Sequence, residues 1–128
     1  MADSVRLEHV AIPATEENFQ TLVDFYCDVF GWNVIKEMDG PPRIAFVSDG
    51  HGGRLEIYTA PGNPMTNPVH MAFAVPVDEF DALRDRVAAA GVALNDETSN
   101  PVGDRLIYFK DPAGNDAQIV GRNQMLPD

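Results

Sequence analysis

Four side chains that could ligate a metal ion occupy matching places in two halves of this sequence. His9 recurs as His70, and Glu56 recurs as Gln118, with one inserted residue absorbing the difference in spacing. Imidazole nitrogens, a carboxylate and an amide oxygen are all donor groups. Self-similarity at a fixed period is a signature of repeated architecture. The repeat therefore predicts two similar modules, each with two candidate metal ligands.

Strand alternation predicts which way these four side chains face. His9 and His70 share their faces with alanines, whereas bulkier apolar neighbours point the other way. Glu56 and Gln118 likewise lie opposite the apolar residues that flank them. Small residues beside each histidine leave room for a cavity. We therefore expect all four side chains on concave faces, where a closed sheet could bring them together.

The elements that must position these side chains follow the same order in both halves. In the first half, about residues 1–60, the sequence predicts a strand over 5–12 that Pro13 closes, a helix that Thr15 begins and Gly31 ends, and strands near 32–37, 43–48 and 54–59. In the second half, about residues 68–122, it predicts a strand over 69–75, a helix over 78–90 before Gly91, and strands near 92–95, 105–110 and 116–120.

The chain length of 128 residues favours a single domain over residues 1–128 rather than two independent ones. We expect an α+β fold of two tandem βαβββ modules. Four strands cannot bury both of their faces alone, so the two sheets should pair. The expected result is a curved, barrel-like sheet with the helices outside.

The charge of the chain restricts its partners. A net charge of −11 opposes binding to nucleic acid or to an anionic membrane surface. The sequence shows neither a basic leader segment nor an apolar run long enough to span a bilayer, and Cys27 is its only cysteine. We expect a cytoplasmic protein whose partners are a small-molecule substrate and other protein subunits.

The sequence resembles the vicinal oxygen chelate superfamily, which includes glyoxalase I, methylmalonyl-CoA epimerase, extradiol dioxygenases and bleomycin and fosfomycin resistance proteins. The resemblance covers nearly the whole chain. The residues that carry it lie in segments 7–12 (LEHVAI), 25–32 (FYCDVFGW), 55–57 (LEI), 70–73 (HMAF) and 108–115 (YFKDPAGN). Such a fold hosts several reactions, so the resemblance alone does not identify one.

The resemblance implies a divalent metal between the modules, held by His9, Glu56, His70 and Gln118. This donor set suits Zn, Ni, Co, Fe or Mn, with positions left open for two substrate oxygens and an oxyanion to be stabilised. Gln118 departs from the family, in which lyases, dioxygenases and epimerases usually have Glu at this position. An amide cannot act as a base. Glu56 would therefore have to serve as ligand, base or both.

The function that these features favour is a metal-dependent, glyoxalase-like enzyme of the lyase or isomerase type, acting on a small oxygen-chelating substrate. An epimerase or a dioxygenase on the same fold is an alternative. A further alternative is a metal-free protein that sequesters a drug-like molecule, as bleomycin resistance proteins do. Because modules of this family often pair across chains, we also expect a homodimer.

Overall fold

The structure is a computed structural model that describes residues 8–60 and 70–126. The chain divides into two compact units, Met1–Asn63 and Pro64–Asp128. Within the described residues, each unit contains one α-helix and one four-stranded sheet. The predicted α+β class and the tandem βαβββ modules are therefore confirmed. Each sheet is open, so neither module forms a barrel by itself.

The first module consists of β1 Val10–Ala14, α1 Phe19–Phe30, β2 Asn33–Met38, β3 Ile44–Ser48 and β4 Arg54–Thr59. Its strand order is β1-β4-β3-β2, in which β1 runs parallel to β4 and the other pairs are antiparallel. Gly31 ends α1 in the left-handed conformation, at φ 72°, as its position after the apolar stripe predicted.

The second module consists of β5 Met71–Pro76, α2 Phe80–Ala89, β6 Thr98–Ser99, β7 Arg105–Lys110 and β8 Asp116–Arg122. Its strand order, β5-β8-β7-β6, repeats that of the first module with the same parallel and antiparallel pairs. A single 3-10 turn, Val77–Glu79, precedes α2. The repeat read from the sequence is thus a repeat of topology.

Each core lies between the helix and one face of the sheet. The buried face of α1 presents Phe19, Leu22, Val23, Phe25, Tyr26 and Val29, and that of α2 presents Phe80, Leu83 and Val87. Along β4, Leu55 and Ile57 are buried, whereas Glu56 between them is only half-buried. Burial of the apolar residues thus leaves the intervening side chains on the other face.

Two boundaries of the first module differ from the sequence predictions. Pro13 does not close β1, which continues to Ala14. β1 is an edge strand, and an edge tolerates a residue without an N–H. Thr15 does not begin α1 either: its N–H donates to Oδ1 of Asn18 at 2.7 Å, and its hydroxyl accepts from the Asn18 N–H at 3.2 Å. This exchange forms a turn that delays the helix to Phe19.

The second module also departs from prediction at its edge. The strand predicted near 92–95 is reduced to an isolated bridge between Leu94 and Phe109, and the paired edge strand is Thr98–Ser99. At the other end, β8 continues beyond Val120 to Arg122. Neither helix in the described part of the chain is long and apolar enough to span a bilayer.

Candidate functional site

In the first module the structure brings two of the four predicted ligands together. Nε2 of His9 lies 3.5 Å from Oε2 of Glu56. Strand pairing explains the approach, because Glu56 is flanked in register by Ala11 on β1 and Phe46 on β3. The small Ala11 leaves space above Glu56, and His9, two residues before Ala11, reaches into it. The His9 ring packs edge-on against Phe46 with centroids 5.3 Å apart.

A second carboxylate contacts His9, and sequence analysis assigned it no role. Oε1 of Glu8 lies 2.9 Å from Nδ1 of His9, a hydrogen-bonding distance. The imidazole therefore has one carboxylate at each nitrogen. Metal-binding histidines commonly donate their second nitrogen to a carboxylate. The sequence signal that could have identified this contact is the position of Glu8 directly before the candidate ligand His9.

Around His70, the described residues of the second module repeat the ring packing of the first module without its carboxylate contacts. The His70 ring packs edge-on against Tyr108 with centroids 5.3 Å apart. Gln118 is flanked in register by Ala72 on β5 and Tyr108 on β7, just as Glu56 is flanked by an alanine and an aromatic residue. β1 begins at Val10 and β5 at Met71, so neither histidine lies within a strand, contrary to the prediction. The predicted starts at residues 5 and 69 lie outside the described residues.

Gln118 is the most deeply buried of the four predicted ligands, with 6% of its surface exposed. Its amide forms no hydrogen bond with any residue in 8–60 or 70–126. The amide keeps access to solvent, since among the described residues only Nε of Arg122 is a buried side-chain polar atom without a hydrogen-bond partner. The Gln118 amide is therefore open to a ligand from the solvent side.

Matching turns position Glu56 and Gln118 at the same place in their strands. The carboxylate of Asp49 accepts hydrogen bonds from two backbone N–H groups of the turn before β4, at 2.7 and 2.9 Å. The carboxylate of Asp111 does the same before β8, at 3.0 and 2.9 Å. These Asp-centred turns set where each strand begins. The spacing from Asp49 to Glu56 equals that from Asp111 to Gln118 because both modules use the same turn before the strand.

A cleft of about 480 Å³ opens beside His70 in the second module. Tyr108 lies on its wall with 41% of its surface exposed, and Nζ of Lys110 pairs with Oδ1 of Asp116. The other lining residues are Ala93, Asn95 and Phe109. Clefts of this size accept small organic molecules. Sequence analysis missed the contribution of Asn95, which became visible only when the Leu94 bridge placed it beside β7.

The structure thus brings His9 and Glu56 together, whereas in the described part of the second module His70 and Gln118 form no hydrogen bond with each other. Among the described residues, no cluster of three or more His, Cys, Asp or Glu side chains is arranged to hold a metal ion. Convergence of all four side chains on one ion therefore stays a prediction.

Comparison with known protein families shows which family this chain belongs to. Residues 6–119 match the model of the glyoxalase/bleomycin resistance protein/dioxygenase superfamily. The chain belongs to this superfamily. The matched range of this glyoxalase-superfamily protein covers the first module, the second module as far as β8, and the positions of all four predicted ligands.

Solved structures of similar fold include an oxidase and a glyoxalase family protein. Oxidase ChaP-H2 is 27% identical, with a TM-score of 0.75 over 93% of this chain and 94% of that chain. A glyoxalase family protein from Enterococcus faecalis is 21% identical, with a TM-score of 0.71 over 90% and 96%. No curated protein sequence matches the chain significantly.

A third similar structure contains a metal. It is a point mutant of the fosfomycin resistance protein FosX from Listeria monocytogenes, complexed with Mn(II) and 1S,2S-dihydroxypropylphosphonic acid, and it is 22% identical. Its TM-score is 0.76 over 96% of this chain and 94% of that chain. The superfamily fold therefore occurs with an oxidase and with a manganese-binding resistance protein, and the fold alone does not select between their chemistries.

Proposed function

We propose that this superfamily member is a divalent-metal-dependent enzyme of the lyase or isomerase type, acting on a small substrate that chelates the metal through two oxygens. The observation that carries the proposal is the approach of His9 Nε2 to Glu56 Oε2, at 3.5 Å. The repeat-equivalent pair in the second module, His70 and Gln118, supplies the other two donors.

The 3.5 Å separation is informative because it is longer than a good hydrogen bond, about 2.7–3.2 Å. The two atoms are nevertheless close enough that a small side-chain adjustment would let both ligate one ion. Two imidazoles, one carboxylate and one amide suit Zn, Ni, Co, Fe or Mn.

A divalent ion bound by these donors would supply Lewis-acid stabilisation of a substrate oxyanion. Glu56 is the only carboxylate of the set, so it is the group that would remove or return a proton on the substrate. Gln118 would contribute its amide oxygen and no proton transfer. The cleft beside His70 would hold the body of the substrate, with the Tyr108 hydroxyl and the Asn95 amide available to orient it.

The similar structures support metal dependence without selecting one reaction. FosX binds Mn(II) on this fold, and ChaP-H2 is an oxidase on it. An epimerase, an oxygen-dependent reaction and fosfomycin-type resistance chemistry thus remain alternatives of the same metal-binding class. A metal-free ligand-binding protein is the competing class, and the 480 Å³ cleft in the second module is the observation that favours it.

Elemental analysis separates the two classes. The protein is purified without added metal, then dialysed against Zn(II), Mn(II) or Ni(II) separately, and its bound metal is measured. We expect one ion per His9, Glu56, His70 and Gln118 set, and loss of most of it in His9→Ala and His70→Ala. His51→Ala is the matched control, because His51 lies in an exposed turn of the first module. Wild-type protein that retains no metal would reject the proposal.

A further inference from the structure

His9 lies between two carboxylates at unequal distances. Oε1 of Glu8 is 2.9 Å from Nδ1, whereas Oε2 of Glu56 is 3.5 Å from Nε2. The first distance is that of a hydrogen bond and the second is not. In the neutral imidazole one nitrogen carries the proton and the other has a lone pair. The shorter contact therefore favours a proton on Nδ1, donated to Glu8, and a lone pair on Nε2 facing Glu56.

We infer that Glu8 is a positioning residue for His9: its carboxylate binds the Nδ1 proton and so presents the Nε2 lone pair to a metal ion shared with Glu56. The inference rests on the proposed metal-dependent function. Without Glu8, the proton would shift to Nε2, where Glu56 attracts it. A proton on Nε2 blocks metal ligation by that nitrogen, so Glu8 acts by selecting the tautomer as well as by orienting the ring.

The edge-on contact with Phe46 restricts the His9 ring on a third side. Side-chain exposure is 30% for His9, 22% for Glu56 and 72% for Glu8. Glu8 can therefore accept the hydrogen bond from Nδ1–H while keeping most of its hydration, which avoids the cost of burying its charge. The ring and Glu56 lie in the more enclosed position, where a metal would bind.

The second module has no equivalent of this contact among its described residues. The residue before His70 is Val69, which has no hydrogen-bonding side chain. The His70 ring forms no hydrogen bond within residues 8–60 and 70–126, and Tyr108 alone orients it there. The inference thus makes the two histidines unequal within the described residues: His9 has a carboxylate at Nδ1, and His70 has no such contact there.

Three variants test the role of Glu8: Glu8→Ala, Glu8→Gln and the control Glu37→Ala. Glu37 is an exposed acid on β2 of the same module, so its loss changes net charge equally. In metal-free protein, 15N NMR should show His9 protonated mainly on Nδ1 in wild type and Glu37→Ala, but mainly on Nε2 in Glu8→Ala. Glu8→Gln should retain the wild-type tautomer, because an amide oxygen can accept the same hydrogen bond.

Titration of metal-free protein with Zn(II) and Mn(II) provides the second measurement. We expect Glu8→Ala to weaken binding about 10–100-fold, with much smaller effects in the other two variants. Equal tautomer populations and equal affinities in wild type and Glu8→Ala would overturn the inference. If wild type binds no metal, the proposed function fails, whereas the NMR comparison still decides whether Glu8 selects the tautomer.

Discussion

His70 meets the ring of Tyr108 edge-on, with centroids 5.3 Å apart and an interplanar angle of 81°. His9 meets Phe46 at the same centroid distance and at 79°. The two modules therefore preserve the placement of side chains around each histidine as well as the order of strands. The difference between the modules lies in the residues beside these pairs, where Glu56 faces one histidine and Gln118 occupies the equivalent strand position in the other.

That difference leads to a prediction about proton transfer. If the protein is a proton-transfer enzyme, Glu56→Gln should lower turnover by about 10²–10⁴-fold, because it removes the only carboxylate of the proposed site. Gln118→Glu should retain metal and raise glyoxalase-type activity, since it adds a second base. Turnover of methylglyoxal with a thiol cofactor and bound metal are measured for both variants. Activity that survives Glu56→Gln would place the base elsewhere.

A second prediction concerns acid stability of the second module. Hydrogen bonds from Arg105 hold the pKa of Asp81 and the pKa of Glu97 below their ordinary values. Carboxyls with a lowered folded pKa stabilise the protein above their unfolded pKa, and this contribution disappears as the pH falls through the folded pKa. The melting temperature should therefore decrease as the pH is lowered below about 4.

Arg105→Gln tests the origin of that acid sensitivity. The variant should melt lower than wild type at pH 7, with a smaller further decrease between pH 7 and pH 3. Arg86→Gln is the control, because Arg86 is exposed on α2 and forms no ion pair within the described ranges. Parallel melting curves for wild type and Arg105→Gln at every pH would contradict the assignment.

A third prediction tests packing of α2 on β8. A Cβ added at Gly121 would lie 2.9 Å from Cβ and Cδ2 of Phe80, whose side chain is fully buried. Gly121→Ala should therefore lower the free energy of unfolding by about 1–3 kcal/mol. Chemical denaturation of Gly121→Ala, Phe80→Leu and the double variant measures the coupling. Additive effects in the double variant would mean that the two residues are not in contact.

The expected homodimer is a fourth prediction. β2 is an edge strand of the first module's sheet, and Val34, Ile35 and Met38 on it are 38–53% exposed. Exposed apolar edge strands favour pairing with another chain. Light scattering at micromolar concentration should give twice the 14.0 kDa mass of one chain. Replacing Ile35 with Lys should shift the mass toward the monomer, and a monomeric wild type would refute the prediction.

Some features of this protein follow from the sequence by itself. The face of the sheet on which Glu56 lies depends only on the two-residue period of a strand, which is a local property. The burial of Leu55 and Ile57 on either side of Glu56 agrees with it. The topology of the second module follows from that of the first because the apolar pattern repeats. The four candidate ligands were identifiable for the same reason.

Tertiary structure decided the features that depend on partners distant in sequence. The edge strand near 92–95 became one bridge because its pairing depends on β7. The absence of a hydrogen-bonding partner for Gln118 within the described ranges is likewise a result of packing. So is the contact of His9 Nε2 with Glu56, since these residues meet only when β1 pairs with β4. Periodicity sets which way a side chain faces, whereas strand pairing sets what it meets.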